Sequence, residues 1–212
     1  MSNSKQALIL GASGLIGSHL LAKLLDDESY DTVHSVGIRE QDFSASGSGI
    51  ASAAKRKLVQ HVAEIEQVLA LSASPRDNES AENSALRQAF AVHDVFCCVG
   101  TTMSKAGSKA AFETVDYAYP LHAARIALAA KARQFLIVTA LGASSRSPIY
   151  YNRIKGQVEE SLERLQFHAI HIFQPSLLTG ERGEKRTGED FGKLVGGVIG
   201  PLMVGPLRKY RP

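Results

Sequence analysis

Short apolar runs alternate with amphipathic segments along most of the chain. Six runs have the length and composition of strands, at residues 7–10, 33–38, 58–62, 94–99, 134–139 and 168–173. The first run contains no polar side chain, which is typical of a strand covered by helices on both faces. Apolar residues at helical spacing predict helices over residues 15–25, 85–91, 112–132 and 150–165. Strands and helices that alternate in this way predict an α/β fold, a doubly wound parallel sheet of the Rossmann type.

Two polar stretches and an irregular C-terminal part interrupt this alternation. Residues 41–54 are rich in serine, glycine and alanine, and residues 72–84 are polar and contain Pro75, so both are predicted to be surface loops. The sequence shows neither an internal repeat nor a linker long enough to separate two domains. We therefore predict one domain over residues 1–212, in which residues 175–212 form a small appendage on the substrate side.

Composition and charge narrow the classes of function. The chain has 212 residues, 44% hydrophobic and 21% charged, with a net charge of +3. This charge is too small for the basic surface of a nucleic-acid-binding protein, and no apolar run approaches the ~18–20 residues of a membrane span. The N-terminus lacks the apolar core of a signal peptide, and the adjacent Cys97 and Cys98 are poor disulfide partners. We expect a soluble, cytoplasmic protein without nucleic-acid or membrane partners, and without a metal, since no histidine pair with a third ligand has metal-binding spacing.

The strongest motif is the sequence Gly11-Ala12-Ser13-Gly14-Leu15-Ile16-Gly17 between the first strand and the first helix. Glycine is needed where a turn takes a positive φ and where the backbone must approach a pyrophosphate closely. The helix that follows would present free N–H groups and its positive dipole end to the phosphates. We therefore predict an NAD(P)-binding turn, with cofactor contacts from Gly11, Ser13, Gly14, Leu15, Ile16 and Gly17; the alternative is a structural turn without a cofactor.

The end of the second strand bears on the choice between NAD and NADP. NAD-binding proteins usually place an acidic residue there to hold the ribose 2′-hydroxyl, whereas this chain has Gly37-Ile38-Arg39. An arginine can pair with a 2′-phosphate, so Arg39 favours NADP. If Arg39 is instead a solvated loop residue, Glu40 could hold the ribose and NAD remains possible. After the fourth strand, Val99, Gly100 and Thr101 are predicted to line the ribose and nicotinamide side of the cofactor.

Tyr151 and Lys155 form the pattern Y-x-x-x-K, which places both side chains on one face of a helix. A nearby ammonium lowers the pKa of a phenol, so Tyr151 could exchange a proton with a substrate oxygen while the nicotinamide exchanges a hydride. The pattern also occurs by chance on helix surfaces. Its position, one helix after the fifth strand, favours a catalytic pair. Tyr150 is discounted because its partner four residues on is Ile154.

A third group is expected to hold the substrate oxygen. Thr139 ends the fifth strand and is the first candidate, and Ser144 in the following loop is the second. Each hydroxyl could equally have only a structural role in a turn.

Taken together, these segments resemble an atypical short-chain dehydrogenase/reductase of the Tat-interacting-protein-like oxidoreductase group. The resemblance rests on the glycine turn and on residues 97–102, 105–107, 115–116, 151–156, 174–178 and 180–182. It implies NADP binding and a cleft built around Tyr151 and Lys155, which would also hold the cofactor, but it names no substrate. The fifth strand of that family commonly ends in two serines, whereas this chain has Thr139-Ala140. The resemblance also leads us to expect a further helix beyond Arg211-Pro212.

The sequence leaves three functions open. The first is a reductase or dehydrogenase that acts on a small carbonyl or alcohol. The second is a nucleoside-diphosphate-sugar epimerase or dehydratase, against which the short stretch after Gln174 argues, because such enzymes usually need a sizeable C-terminal substrate domain. The third is a non-catalytic, NADPH-sensing interaction protein, and a homodimer or a protein partner is compatible with each of the three.

Overall fold

The computed structural model describes residues 4–42, 54–73 and 80–176. These residues contain six strands: β1 (Lys5–Leu10), β2 (Tyr30–Gly37), β3 (Leu58–Val62), β4 (Asp94–Cys97), β5 (Gln134–Val138) and β6 (Ala169–Phe173). The strands form one sheet in the order β3-β2-β1-β4-β5-β6, and each neighbouring pair is parallel. The predicted doubly wound parallel sheet is therefore confirmed. The strand order reverses between β1 and β4, which is where ligands bind in sheets of this type.

Helices connect the strands. They are α1 (Leu15–Asp26), α2 (Ile65–Ala73), α3 (Ala81–Gln88), α4 (Met103–Ala106), α5 (Lys109–Glu113), α6 (Tyr119–Ala129) and α7 (Tyr150–Glu163). A 3₁₀ turn occupies Ala54–Lys57, and a π-helical turn occupies Thr114–Ala118. The sequence did not predict α2, and it placed the start of α3 four residues too late. None of the described helices is long and apolar enough to cross a membrane.

Two hydrophobic layers pack against the two faces of the sheet. On one face, α1 covers Ala7 and Ile9 of β1 with Leu21, Leu24 and Leu25. On the other face, α2, α3, α6 and α7 cover the alternate residues of the central strands. Residues 7–10 of β1 are fully buried, as the absence of polar side chains predicted. This double cover holds β1 and the turn that follows it at the centre of the described sheet.

The predicted helix over residues 112–132 is divided into α5, the π-helical turn and α6. Pro120 has no N–H group, so it cannot donate to the carbonyl four residues earlier, which is that of Asp116. The Tyr119 N–H donates instead to the carbonyl of Thr114, five residues earlier. The wider turn carries Asp116, whose side chain is buried. Proline inside a helical pattern was the sequence signal for this break.

Residues 177–212 lie outside the described residues, as do residues 43–53 and 74–79. The predicted appendage over 175–212 is therefore described only at Pro175 and Ser176. Most of both predicted surface loops, 41–54 and 72–84, also falls in these gaps; the described parts of the second are the last residues of α2 and the first turn of α3.

Candidate active site

The turn between β1 and α1 is closed by contacts that exclude side chains. Gly11 has φ +82°, and a Cβ atom there would stand 2.9 Å from the backbone of Cys98 and Val99 at the end of β4. A Cβ atom on Gly17 would stand 2.0 Å from the Gly11 carbonyl oxygen. Glycine is therefore required at both positions. Gly11 needs both the positive φ and the close approach, and Gly17 needs only the close approach.

The same turn leaves the first amides of α1 available to an anion. The first hydrogen bond of the helix runs from Ser18 N–H to the Gly14 carbonyl oxygen, at 2.9 Å. The N–H groups of Leu15, Ile16 and Gly17 precede that bond, so they have no intrahelical partner. Ser13 and Gly14 are exposed, which leaves the approach open. These amides and the positive end of the helix dipole fit a pyrophosphate group.

After β2, hydrogen bonds fix the backbone at Gln41, whereas the side chain of Arg39 is exposed. The Gln60 side chain accepts a hydrogen bond from Gln41 N–H and donates one to the Gln41 carbonyl, both at 3.0 Å. Arg39 and Glu40 are both exposed. The geometry therefore allows Arg39 to turn towards a ligand, and it allows Glu40 the same freedom.

Tyr151 and Lys155 lie one turn apart near the start of α7, as predicted. Lys155 is buried, and Tyr151 is half-buried with its ring centroid 5.5 Å from that of Phe112. Val158 and Leu162 continue the same face of α7 into the core. Tyr150 points elsewhere: its hydroxyl donates to Glu113 at 2.8 Å. This packing agrees with the choice of Tyr151 over Tyr150 as the candidate.

The sequence did not predict the partner of Lys155. Its Nζ atom lies 2.6 Å from Oδ1 of Asp116, and the exposed fractions of the two side chains are 5% and 0%. The other carboxylate oxygen of Asp116 accepts a hydrogen bond from Thr101 N–H at 2.9 Å. Asp116 thereby connects the predicted catalytic helix to the predicted cofactor loop after β4. Val115-Asp116 contributed to the family resemblance, but only the π-helical turn brings this carboxylate inward.

Burial and the ion pair set the protonation of this cluster. Burial raises the pKa of Asp116, although Lys155 and the Thr101 amide act against the rise. Burial alone would lower the pKa of Lys155, but Asp116 and Tyr151 outweigh it and the pKa is raised. Burial also raises the pKa of Tyr151, against the lowering effect of Lys155, and Asp116 adds to the rise. The expected lowering of the Tyr151 pKa is thus reversed in the protein alone, because burial of the ring outweighs the lysine charge and Asp116 also opposes that charge.

Thr139 is the first candidate for the group that holds the substrate oxygen. It is buried, and its hydroxyl is already hydrogen-bonded. Its hydroxyl donates to Oε1 of Glu159 on α7, at 2.5 Å. The side-chain amide of Gln174 donates to both oxygens of Glu159, at 3.1 and 2.9 Å. In this arrangement, the Thr139 hydroxyl can offer a substrate only its acceptor capacity. The network joins α7 to the ends of β5 and β6.

The second candidate, Ser144, lies against α7. Its backbone N–H donates to the Asn152 carbonyl at 3.0 Å. A Cβ atom on Gly156 would stand 2.1 Å from the Ser144 carbonyl carbon, so glycine lets the loop touch the helix. Ser144 is exposed, and its hydroxyl oxygen accepts a hydrogen bond from Arg146 N–H at 3.3 Å. The serine keeps its own proton for another acceptor.

A Rossmann sheet with a glycine turn after β1 and a Tyr-Lys pair after β5 defines a protein of the short-chain dehydrogenase/reductase type. No protein-family model matches the chain. The chain is 34% identical to protein HTATIP2 of Rattus norvegicus over 187 residues, which are 88% of this chain and 68% of that protein. It is 31% identical to the mitochondrial protein FMP52 of Lodderomyces elongisporus over 209 residues, 96% of this chain and 81% of that protein. The chain belongs to the family of HTATIP2 and FMP52, the Tat-interacting-protein-like group of atypical short-chain dehydrogenases/reductases, and the predicted resemblance is confirmed.

Solved structures agree on the fold. The Bordetella bronchiseptica enzyme WbmG in complex with NAD matches with a TM-score of 0.61 at 15% identity, over 92% of this chain and 60% of that one. UDP-glucose 4-epimerase of Thermotoga maritima with UDP-glucose matches with a TM-score of 0.59 at 15% identity, over 84% of this chain and 58% of that one. At these identities, the similarity shows the fold alone.

The relatives correct one expectation. The sequence predicted a cytoplasmic protein, but the FMP52 proteins of Lodderomyces elongisporus and Scheffersomyces stipitis, at 31% and 30% identity, are named mitochondrial. Cysteine content does not separate the cytosol from other compartments in which thiols stay reduced. The inference from composition to the cytoplasm was therefore wrong.

Proposed function

We propose that this protein is an NADP-dependent oxidoreductase that transfers a hydride between NADP(H) and a small carbonyl or alcohol substrate. The arrangement of Tyr151 and Lys155 supports this proposal most strongly. The two residues lie one turn apart on α7, and Lys155 Nζ would be 3.4 Å from a Cβ atom on Gly100, just after β4. The end of β4 is one side of the point where the strand order reverses, at which dinucleotides bind in this fold.

The cofactor would lie across the ends of β1 and β4. The α1 amides of Leu15, Ile16 and Gly17 would hold the pyrophosphate, with Gly11, Ser13 and Gly14 allowing its close approach. Val99, Gly100 and Thr101 would line the nicotinamide side, where Lys155 would hold the ribose hydroxyls. When bound, the nicotinamide supplies the hydride.

Tyr151 would move the proton. Because burial raises the pKa of Tyr151, the residue is a neutral phenol at physiological pH. A neutral phenol is a donor, so this state suits the reduction of a carbonyl, whose oxygen takes the proton as the carbon takes the hydride. We assign the second hydrogen bond to the substrate oxygen to Ser144 ahead of Thr139, because the Thr139 proton is donated to Glu159.

A panel of small aldehydes and ketones with NADPH tests the proposal, with the loss of NADPH absorbance as the readout. Tyr151→Phe keeps the ring contact with Phe112 but removes the transferable proton, so turnover should fall by about 10²- to 10⁴-fold while cofactor binding persists. Lys155→Ala should reduce both. Tyr150→Phe is the matched control, because that neighbouring hydroxyl contacts Glu113 on the surface, and it should retain turnover.

Other results would redirect the proposal. If Tyr151→Phe reduced a substrate as fast as the wild type, the proton would have to come from another group. If a nucleoside-diphosphate sugar were converted without net loss of NADPH, the protein would be an epimerase or dehydratase. If NADPH bound but no substrate were turned over, the non-catalytic interaction protein would be favoured.

The preference for NADP is tested by calorimetry with NADPH and NADH. A guanidinium that pairs with the 2′-phosphate forms a charge-assisted hydrogen bond worth about 1.5–3 kcal/mol, so the preference for NADPH should be about tenfold or more. Arg39→Ala should remove it. Arg133→Ala changes an exposed arginine just before β5, at the other end of the sheet, and should leave it unchanged. Equal affinity of the wild type for both dinucleotides would refute the role of Arg39.

A further inference from the structure

The most unusual feature of the cleft is a charged pair buried beneath it. Asp116 and Lys155 are both almost inaccessible, and their charged atoms lie 2.6 Å apart. Removing two charges from water is expensive, and a buried ion pair often stabilises a protein no more than apolar side chains of the same size would. Its presence here is therefore better explained by chemistry than by stability.

Asp116 is fixed from two directions. The π-helical turn Thr114–Ala118 places it inside the fold, and single π turns of this kind are frequent at functional sites. The hydrogen bond from Thr101 N–H fixes one carboxylate oxygen at 2.9 Å, which leaves the other for Lys155. The carboxylate cannot follow the lysine if the lysine moves.

The residue next to the ion pair is Gly100, which has no side chain. A Cβ atom on Gly100 would lie 3.4 Å from Oδ1 of Asp116 and 3.4 Å from Nζ of Lys155. Any other residue at this position would begin in contact with both charged groups and would cover them. Gly100 is itself exposed, so the glycine is an opening through which a ligand can approach the ammonium.

We propose that Asp116 is a positioning residue: its carboxylate keeps the buried Lys155 charged and holds the ammonium under Gly100, where the vicinal hydroxyls of a ribose would bind. This inference rests on the proposed function, since it takes the ligand to be a nicotinamide dinucleotide. Asp116 acts through Lys155 and does not itself touch the ligand.

Electrostatics gives the proposal a measurable consequence. The groups that influence Lys155 are Asp116, Tyr151 and the Cys97 thiol. Burial favours the neutral amine, and Asp116 is the largest influence in the opposite direction. Without the carboxylate, burial would dominate and the pKa of Lys155 would fall below its ordinary value. A neutral amine has one proton fewer to donate to a ribose oxygen and no charge to act on Tyr151.

The test compares two buried aspartates that differ in their partner. Asp116→Asn keeps the shape and can still accept from Thr101, but it removes the charge. Asp94→Asn is the matched control, because Asp94 is equally buried and its partner is the neutral Tyr30 hydroxyl. The titration of Lys155 is followed by NMR of ¹³C-labelled lysine, with Lys155→Arg to assign the signal. NADPH affinity is measured by calorimetry over the same pH range.

In the wild type and in Asp94→Asn, Lys155 should stay charged through about pH 10, and NADPH affinity should show no step from its titration. In Asp116→Asn, the signal should titrate at lower pH, and affinity should fall above that point until it levels off about tenfold or more lower, the loss of a charge-assisted hydrogen bond worth about 1.5–3 kcal/mol. An Asp116→Asn profile identical to that of the wild type would overturn the proposal. If Asp116→Asn does not fold, the wild-type signal decides, because a Lys155 that loses its proton below the ordinary lysine pKa contradicts the role.

The two proposals can fail separately. If the wild type binds neither NADPH nor NADH, the proposed function fails. The titration of Lys155 in the two aspartate variants would still show whether Asp116 maintains the charge.

Discussion

Two aspartates are buried at opposite ends of the same sheet, and they are held in different ways. Asp94 is the first residue of β4 and accepts a hydrogen bond from the Tyr30 hydroxyl at 2.7 Å. Asp116 lies beyond the other end of β4, with Lys155 at 2.6 Å and the Thr101 amide at 2.9 Å. Their exposed fractions, 3% and 1%, are nearly equal. Burial alone therefore does not distinguish a structural carboxylate from a functional one.

The surroundings of the two carboxylates differ more than their burial. Tyr30 belongs to the hydrophobic layer under α1 and packs edge-on against Phe96, so its hydroxyl is anchored by its ring. Lys155 lies beside the exposed Gly100, at which a Cβ atom would contact both charged groups. The charged partner and the glycine beside it are the two features on which we base the proposed site at the carboxyl end of the sheet.

The largest difference between the two ends should appear when each partner is removed. Lys155→Met leaves Asp116 as an uncompensated buried charge and should lower the free energy of unfolding by about 3–5 kcal/mol at neutral pH. Tyr30→Phe leaves Asp94 without one donor and should lower it by about 1–3 kcal/mol. Urea unfolding of both variants gives the comparison.

The pH dependence provides the control for this prediction. In Lys155→Met, a carboxyl whose pKa is raised in the folded state becomes neutral as the pH falls, so the loss of stability should shrink towards acid. The double change Lys155→Met with Asp116→Asn should recover most of the loss, since no buried charge remains. A loss in Lys155→Met no greater than in Tyr30→Phe would mean that the two ends are equivalent.

A smaller effect is expected at Glu159, which lies at the carboxyl end but has neutral partners, as Asp94 does. Glu159→Gln replaces one of the two acceptor oxygens with an amide NH₂ group and removes the charge that strengthens the hydrogen bonds from Thr139 and Gln174, so stability should fall by about 1–3 kcal/mol. Adding Gln174→Glu reverses the polarity of the contact and should restore stability. Failure of the exchanged pair to recover stability would show that the contacts in this network are not what holds α7.

The smallest effect concerns two histidines at neither end of the sheet. His34 on β2 and His61 on β3 are linked at 3.0 Å, and burial lowers the pKa of both. Above about pH 6.5 both are neutral in either state. As the pH falls below this value, the unfolded chain takes up protons first, so stability should decline until the lowered pKa values are passed.

This decline is measured by urea unfolding at a series of pH values. It should be the same in Asp94→Asn as in the wild type, and it should be flatter when His34 and His61 are both changed to Gln. His168→Gln alters an exposed histidine and should not change the slope. An unchanged slope in the double variant would assign the acid sensitivity to other groups.

Local patterns were sufficient to predict most of the sheet, the conformation of the glycine turn and the helix that carries Tyr151 and Lys155. The apolar run of β1, the glycine turn and the Tyr151–Lys155 spacing each depend on residues close together in the sequence. The exact bounds of β3, Leu58–Val62, were predicted in the same way. Arg39 and Ser144 were found by their position after a strand, and their roles remain predictions.

Contacts between distant residues could not be predicted in the same way. Asp116 pairs with a lysine 39 positions along the chain, and the Thr139 hydroxyl is turned away from a substrate by Glu159, twenty positions later. The position of Asp116 depends on a break in the helix. Pro120 indicated this break, but the apolar spacing predicted one continuous helix. Helix α2 was missed because its nine residues run directly into a polar stretch.

The strand order also has a consequence for synthesis of the protein. Of the six described strands, β1 leaves the ribosome first, yet in the finished sheet it lies between β2 and β4, and β4 begins only at Asp94. Until then, one edge of a strand whose residues 7–10 are all apolar has no native neighbour, and such exposed segments favour aggregation. The cleft itself is incomplete until α7 has been made. We therefore expect nascent chains that end before α7 to depend on chaperones, because β1, the first of these strands to be made, is enclosed late.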